Sequence, residues 1–136
     1  MHEWALAEGV IDTTVKVSRE KKLKEISRVV ITLGELQQID EEIFKFALRE
    51  IIKPTSIFKK TEFKFEKEKA VLRCKVCTTE WEFGDMLCGL DDVEVESIHF
   101  IPEMSHIYMK CPGCGSRDFE IVKGRGVWIA SIEGME

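Results

Sequence analysis

The sequence predicts an α+β fold: two helices packed on a small mixed three-stranded sheet, with an inserted β-rich four-cysteine zinc module. Three observations predict it. Apolar residues recur at helical spacing over residues 4–24 and 40–52. β-Branched or alternating runs mark strands at 28–35, 61–66 and 126–133. Two Cys-x-x-Cys pairs, Cys74/Cys77 and Cys111/Cys114, fall between the last two of these strands.

The elements follow in chain order. In 4–24, Leu6, Val10, Thr13 and Val17 form one stripe, widened by Ala7, Ile11 and Val15. The basic stretch Arg19 to Lys24 suits the end of that helix, where the last carbonyls favour positive charge. Val29, Val30, Ile31, Thr32 and Leu33 are a β-branched strand ending near Gly34. Asp40 is a fitting N-cap for a helix to about Ile52, because its carboxylate can accept a free amide of the first turn. Ile43, Phe44, Ala47, Leu48, Ile51 and Ile52 share one face of it, and Pro54 stops it. Phe63 and Phe65 then alternate with Glu62 and Lys64, as in a half-buried strand.

Residues 70–83 read as a short strand, the first cysteine pair, and a strand carrying Trp81 and Phe83. Residues 84–98 are acidic, weakly patterned, and read as part of an inserted excursion. Residues 99–110 lead back to the second pair, with His106 on a strand. Residues 118–123 and 126–133 read as a final strand pair about Gly124-Arg125-Gly126. Val127 to Ile132 is apolar enough for a central strand buried on both faces, returning to the first sheet. The division expected is an α+β domain of residues 1–69 and 117–136, with a zinc-binding domain of residues 70–116 inserted in it. Trp4 and Trp128 are expected as core anchors.

Composition narrows the function. A chain of 136 residues that is 44% hydrophobic can bury a core. A formal net charge of −5 lacks the basic footprint of a generic nucleic-acid binder. No apolar run approaches the ~20 residues a membrane span needs. The start, MHEWALAEGV, has no basic stretch followed by an apolar one, so the cytoplasm is the expected location.

The five cysteines are Cys74, Cys77, Cys88, Cys111 and Cys114. An odd number without a signal peptide argues against a disulfide scaffold. Two Cys-x-x-Cys knuckles supply four thiolates to a tetrahedral ion, with Zn–S about 2.3 Å. Gly113 and Gly115 bracket Cys114 and free the backbone for a tight turn. The 33 residues between the knuckles exceed the usual gap of roughly 15–20, which reads as an inserted segment. A zinc held by four thiolates keeps no open position, so a structural role is expected and hydrolytic chemistry is not. Arg73, Lys75, Lys110 and Arg117 flank the knuckles and would screen their negative charge. Cys88 is left over as a buried or incidental thiol, and His106 is most simply a structural or solvent-facing imidazole. Arg125 could hold a carboxylate or merely shape a turn.

Met1-His2-Glu3 is a second constellation of donors. The amine of Met1, the amide nitrogen of His2 and its imidazole can close two fused chelate rings, with the Glu3 amide or an outside imidazole as fourth donor. Such nitrogen sites suit Ni(II) or Cu(II), which accept planar coordination. Taken alone, a histidine at position 2 is more simply an exposed side chain at a frayed end.

The combination of Met1-His2-Glu3, Leu33-Gly34-Glu35-Leu36, the two cysteine knuckles and Gly124-Arg125-Gly126 resembles the HypA family. These are nickel-insertion accessory proteins of nickel–iron hydrogenase and urease maturation. The long inter-knuckle segment with Ser97-Ile98-His99-Phe100-Ile101-Pro102-Glu103 is similar to the archaeal branch. The resemblance implies a nickel site at Met1, His2 and Glu3, with His99 as an additional ligand. It implies structural Zn(II) on Cys74, Cys77, Cys111 and Cys114. It implies a delivery protein and not an enzyme, with no catalytic residues. The implied partners are a HypB-type nucleotide-hydrolysing protein and the hydrogenase large-subunit precursor, with no nucleic acid or membrane; a homodimer stays open. Two alternatives compete. A zinc-ribbon nucleic-acid or transcription module needs a basic stripe beside the knuckles. A thiol oxidoreductase needs an accessible, low-pKa cysteine opening a helix.

Overall fold

The structure is a computed structural model that describes residues 3–37 and 39–136, and within them every side chain except that of Cys88. It is an α+β chain with two small sheets. The elements are α1 (Glu3–Glu20), β1 (Glu25–Gly34), α2 (Glu41–Ile52), β2 (Glu62–Glu68), β3 (Val71–Cys74), β4 (Glu80–Glu82), α3 (Asp92–Phe100), α4 (Ser105–Tyr108), β5 (Phe119–Lys123) and β6 (Val127–Met135). The chain separates into two compact units. The first is Met1–Thr32, Ile39–Glu66 and Val127–Glu136; the second is Leu33–Gln38 and Lys67–Gly126.

In the first unit, α1 packs on α2 and on β6. Its buried stripe is Ala7, Val10, Ile11, Thr14 and Ser18, one position displaced from the Thr13/Val17 line the apolar pattern favours. Thr14 and Ser18 enter that stripe because their hydroxyls donate to the helix's own carbonyls, Val10 O and Val15 O, each at 2.7 Å. Asp40 caps α2, its carboxylate accepting the Ile43 amide at 3.1 Å, and Phe44, Ala47 and Leu48 are buried beneath it. Phe65 of β2 meets Phe44 edge to face at 5.6 Å, and the Lys45 ammonium lies 5.5 Å from the Phe65 ring.

The three-stranded sheet has the order β2-β1-β6. β1 is its centre and is buried without interruption from Val29 to Gly34. That corrects the expectation for the last strand: β6 does return to this sheet, but as an edge with only Val127, Ile129 and Ile132 half-covered. Trp128 is therefore 42% exposed on the open face. Trp4 is no core anchor either. It is 45% exposed in the first turn of α1, beyond the end of the packed stripe, and leans on the exposed Phe46 at 6.0 Å.

The second unit holds an antiparallel sheet of order β4-β3-β5. Leu72 faces Trp81 across one ladder, and Cys74 faces Phe119 across the other. Residues 118–123 and 126–133 thus do not pair with each other. β5 goes to β3 and β6 to the other sheet. Gly124 and Gly126 take positive φ, +87° and +91°, and Gly124 serves close approach as well. The Gly34 amide donates to Gly126 O at 2.8 Å, and the Leu36 amide to Gly124 O at 2.9 Å. A Cβ on Gly34 would lie 2.5 Å from Gly124 O, and one on Gly124 only 2.3 Å from the Ala70 Cα. Glu68 accepts the Gly124 amide at 2.8 Å and Glu35 accepts the Ala70 amide at 3.0 Å, so both carboxylates pin backbone there. Between them, these contacts explain the two glycine motifs the sequence singles out.

The inter-knuckle segment is helical where the sequence reads an excursion. α3 opens on a capping box, Asp91 accepting the Glu94 amide and Glu94 accepting the Asp91 amide. Its Ile98 is fully buried with Leu36, Leu72, Phe83, Met109 and Phe119. His106 lies on the short helix α4 and not on a strand.

Candidate metal centre

Each knuckle is a turn closed by backbone hydrogen bonds. In the first, Thr78 N–H donates to Cys74 O at 3.1 Å and Cys74 N–H to Thr79 O at 2.9 Å. In the second, Gly115 N–H donates to Cys111 O at 2.9 Å and Cys111 N–H to Ser116 O at 2.8 Å. The residue after the second cysteine is left-handed in both, Thr78 at φ +67° and Gly115 at φ +77°. Amides then point at sulfur: Val76 and Cys77 N–H at Cys74 Sγ (3.3 and 3.4 Å), and Gly113 N–H at Cys111 Sγ (3.3 Å). Amide donation stabilises a thiolate over a thiol.

The four sulfurs converge. All lie within 4.8 Å of one another, and Cys74–Cys114 and Cys77–Cys111 are each 3.5 Å apart. Sulfurs about 2.3 Å from a tetrahedral zinc stand about 3.8 Å from each other, so the cage has the size of a metal–thiolate site. Cys74 and Cys111 are buried and belong to the apolar cluster of the unit, while Cys77 and Cys114 face solvent.

Proton sharing inside the cage has the same implication. The Thr79 hydroxyl, 3.1 Å from Cys77 Sγ, and the Thr79 amide draw the Cys77 thiol down to about 6. The amide of Cys77 lowers Cys74 as well, against desolvation. Cys114 is pushed up to about 12; the Ser116 amide lowers it, but hydrogen bonds to Cys74, Cys77 and Cys111 and desolvation together outweigh that pull. Sulfurs this close cannot all ionise unaided, and a divalent cation among them is what would hold all four as thiolates.

Two of the four flanking basic residues have specific partners of their own. Arg73 lies between Glu80 and Glu120, at 3.7 and 3.1 Å. The Arg117 guanidinium donates to the carbonyls of His106, Ile107 and Met109, tying α4 to the second knuckle. His106 stacks on Phe119 at 4.3 Å, its Nδ1 2.9 Å from Arg117 O. Arg125 does hold a carboxylate, that of Glu103.

His99 sits half-buried on α3, edge-on to Phe83 at 5.8 Å, with Nδ1 2.9 Å from Leu36 O. A carbonyl only accepts, so Nδ1 carries the proton, and in the neutral ring Nε2 keeps a free lone pair. Glu3 begins α1. Met1 and His2 lie outside the described residues, as does the side chain of Cys88. Sequence reasoning missed Thr79, whose position two residues after a knuckle cysteine is a weak signal, and the Leu36 carbonyl, for which no signal exists.

An α+β chain with a two-knuckle sulfur cage is, by fold and site, a metal-binding protein. Residues 1–134 match the family model described as "HypA: Hydrogenase/urease nickel incorporation, metallochaperone, hypA", and the chain belongs to the HypA family. It is 44% identical over 133 residues to the hydrogenase maturation factor HypA of Thermococcus sibiricus, covering 98% of this chain and 96% of the relative. It is equally similar to the HypA of Pyrococcus abyssi, at 44% identity over 98% of this chain and 95% of that one. Among solved structures it resembles the solution structure of the nickel metallochaperone HypA from Helicobacter pylori, with a TM-score of 0.66 at 21% identity, covering 99% of this chain and 98% of that one. That last likeness speaks to fold. No helix among the described residues is long and apolar enough to cross a membrane.

Proposed function

We propose that this protein carries Ni(II) as cargo for hydrogenase maturation and keeps Zn(II) as a structural ion. The observation that carries the reading is that the sulfur cage is closed. Four sulfurs within 4.8 Å of one another are a full donor set for one tetrahedral ion, which would leave no position for a cargo that must be taken up and released. Cys74, Cys77, Cys111 and Cys114 would hold zinc, which contributes a cross-link between two turns and no reaction chemistry. Nickel then needs nitrogen donors elsewhere. The amine of Met1, the amide and imidazole of His2 and the amide of Glu3 suit it by chemistry. His99 is a further nickel donor through Nε2, since its Nδ1 proton is committed to Leu36 O. Affinity at such a terminus falls with pH, because amide ligation requires loss of a proton. The receivers are a HypB-type nucleotide-hydrolysing protein and the hydrogenase large-subunit precursor, and the protein catalyses no reaction itself.

Equilibrium dialysis with metal analysis tests this reading. The wild-type chain should take up one nickel per chain beyond zinc. His2→Ala, or residues added ahead of Met1, should abolish that nickel and leave zinc in place. His99→Ala should weaken uptake without abolishing it. Nickel retained by both terminal changes means that the cargo site lies elsewhere.

A further inference from the structure

α3 has two apolar faces. Ile98 is buried inward, whereas Val93 is 73% and Phe100 76% exposed on the outer side. Val93, Glu96, Ser97 and Phe100 follow the i, i+3, i+4, i+7 spacing of one helical stripe. With Asp92 they line an open groove of about 550 Å³. Ile101, 46% exposed, extends the apolar surface past the helix end. Aromatic and aliphatic residues exposed side by side on one helix face are the usual makings of a contact surface.

Charge selects the occupant. Between Lys75 and Lys110 there are eight acidic residues and not one Lys or Arg. Four of the eight (Asp91, Asp92, Glu94 and Glu96) cap or belong to α3 itself. A second copy of this chain meeting the groove by two-fold symmetry would set these carboxylates against themselves, which like-charge repulsion opposes. Anionic lipid would be repelled in the same way. A basic surface would be attracted, steered in, and held in register.

We propose that the outer face of α3 is a docking groove for an amphipathic helix of a partner protein, with an apolar stripe flanked by Lys and Arg. Val93 and Phe100 anchor its apolar stripe, and Asp92 and Glu96 pair with its basic flanks. The groove belongs to the inter-knuckle segment, so the partner reads a part of the chain that the knuckles could have closed without. It does not depend on the nickel reading, because the zinc-loaded chain without nickel presents the same face.

The test uses the full-length, zinc-loaded chain and two synthetic peptides about 18 residues long, one of Leu and Lys at helical spacing and one of Leu and Glu in the same pattern. Titration calorimetry should detect the Leu/Lys peptide alone, with affinity falling as salt rises. V93S/F100S should weaken it about tenfold or more, the loss expected of central apolar anchors. D92N/E96Q should weaken it several-fold, chiefly through the association rate. The exposed pair on α2, I43S/F46S, is the control and should leave it unchanged. Zinc content and amide spectra establish that each variant is folded. Equal binding of the Leu/Glu peptide, or V93S/F100S binding like wild type, overturns the proposal. So does a dimer of the wild-type chain in sedimentation that V93S/F100S abolishes, because the occupant is then a second copy.

Discussion

In the first unit the greater part of β1, buried from Val29 to Thr32, shares its core with two helices of 18 and 12 residues. In the second, strands of four, three and five residues converge on four sulfurs. Elements as long as the first set are stabilised by apolar burial, at ~1.5–3 kcal/mol for each large side chain. Strands as short as the second set are marginal by themselves. Their apolar cluster is genuine, but two of its members, Cys74 and Cys111, also belong to the four-sulfur cage that could hold a metal ion. The contrast teaches that one region has apolar burial enough to order itself, while the other combines a smaller cluster with a sulfur cage suited to coordination.

Removing the metal is the strongest way to break that contrast. Cys74→Ser, or a strong chelator, should cost the second unit on the order of 10 kcal/mol of metal-linked stability and disperse its order. Amide resonances of residues 70–121 should collapse while those of α1 and α2 persist; collapse of both sets together would show that the units are not separately held. Phe44→Ala is the converse. It should cost about 3–5 kcal/mol in denaturant unfolding of the first unit and leave zinc stoichiometry unchanged. Gly124→Ala should cost about 2 kcal/mol or more in the same assay, since its methyl meets Ala70 backbone and its φ is positive. A substitution tolerated there would mean that this backbone crossing yields.

Glu103 gives the smallest effect. Its own backbone amide, and then the Arg125 guanidinium, hold its carboxyl below the usual range. A group whose pKa is lowered on folding stabilises the protein above its unfolded pKa, and that contribution fades as pH falls through the folded one. Both partners are about half exposed, so Glu103→Gln should cost about 0.5 kcal/mol or less at pH 7 and nothing once the carboxyl is protonated. Comparing melting temperatures at pH 7 and in acid checks the sign.

Much of this was legible from residue order. Asp40 announced α2, the β-branched run announced β1, and the cysteine spacing announced the cage, because each is a local signal with a local cause. α3 was not legible, because Val93 and Phe100 point outward while Ile98 points inward, and such a helix shows no single apolar stripe. The sheet partners of β5 and β6 were hidden as well. Gly124-Arg125-Gly126 has the look of a hairpin turn, and only the approach of Ala70 shows what Gly124 is for. The tautomer of His99 depends on a carbonyl 63 residues away, which no local pattern carries. The proposed amino-terminal donors, Met1 and His2, lie outside the described residues, and the case for them is made from the sequence.

The two knuckles follow nearly the same backbone path, yet one has glycine at its left-handed corner and the other has Thr78. A β-branched residue resists that conformation and glycine does not. The clasp is therefore lopsided: one jaw takes its corner without strain, while the other holds a strained corner shut with the same backbone hydrogen bonds. Loss of a bound ion should therefore loosen the turn at Cys77 before the turn at Cys114, because only the Thr78 corner gains by relaxing.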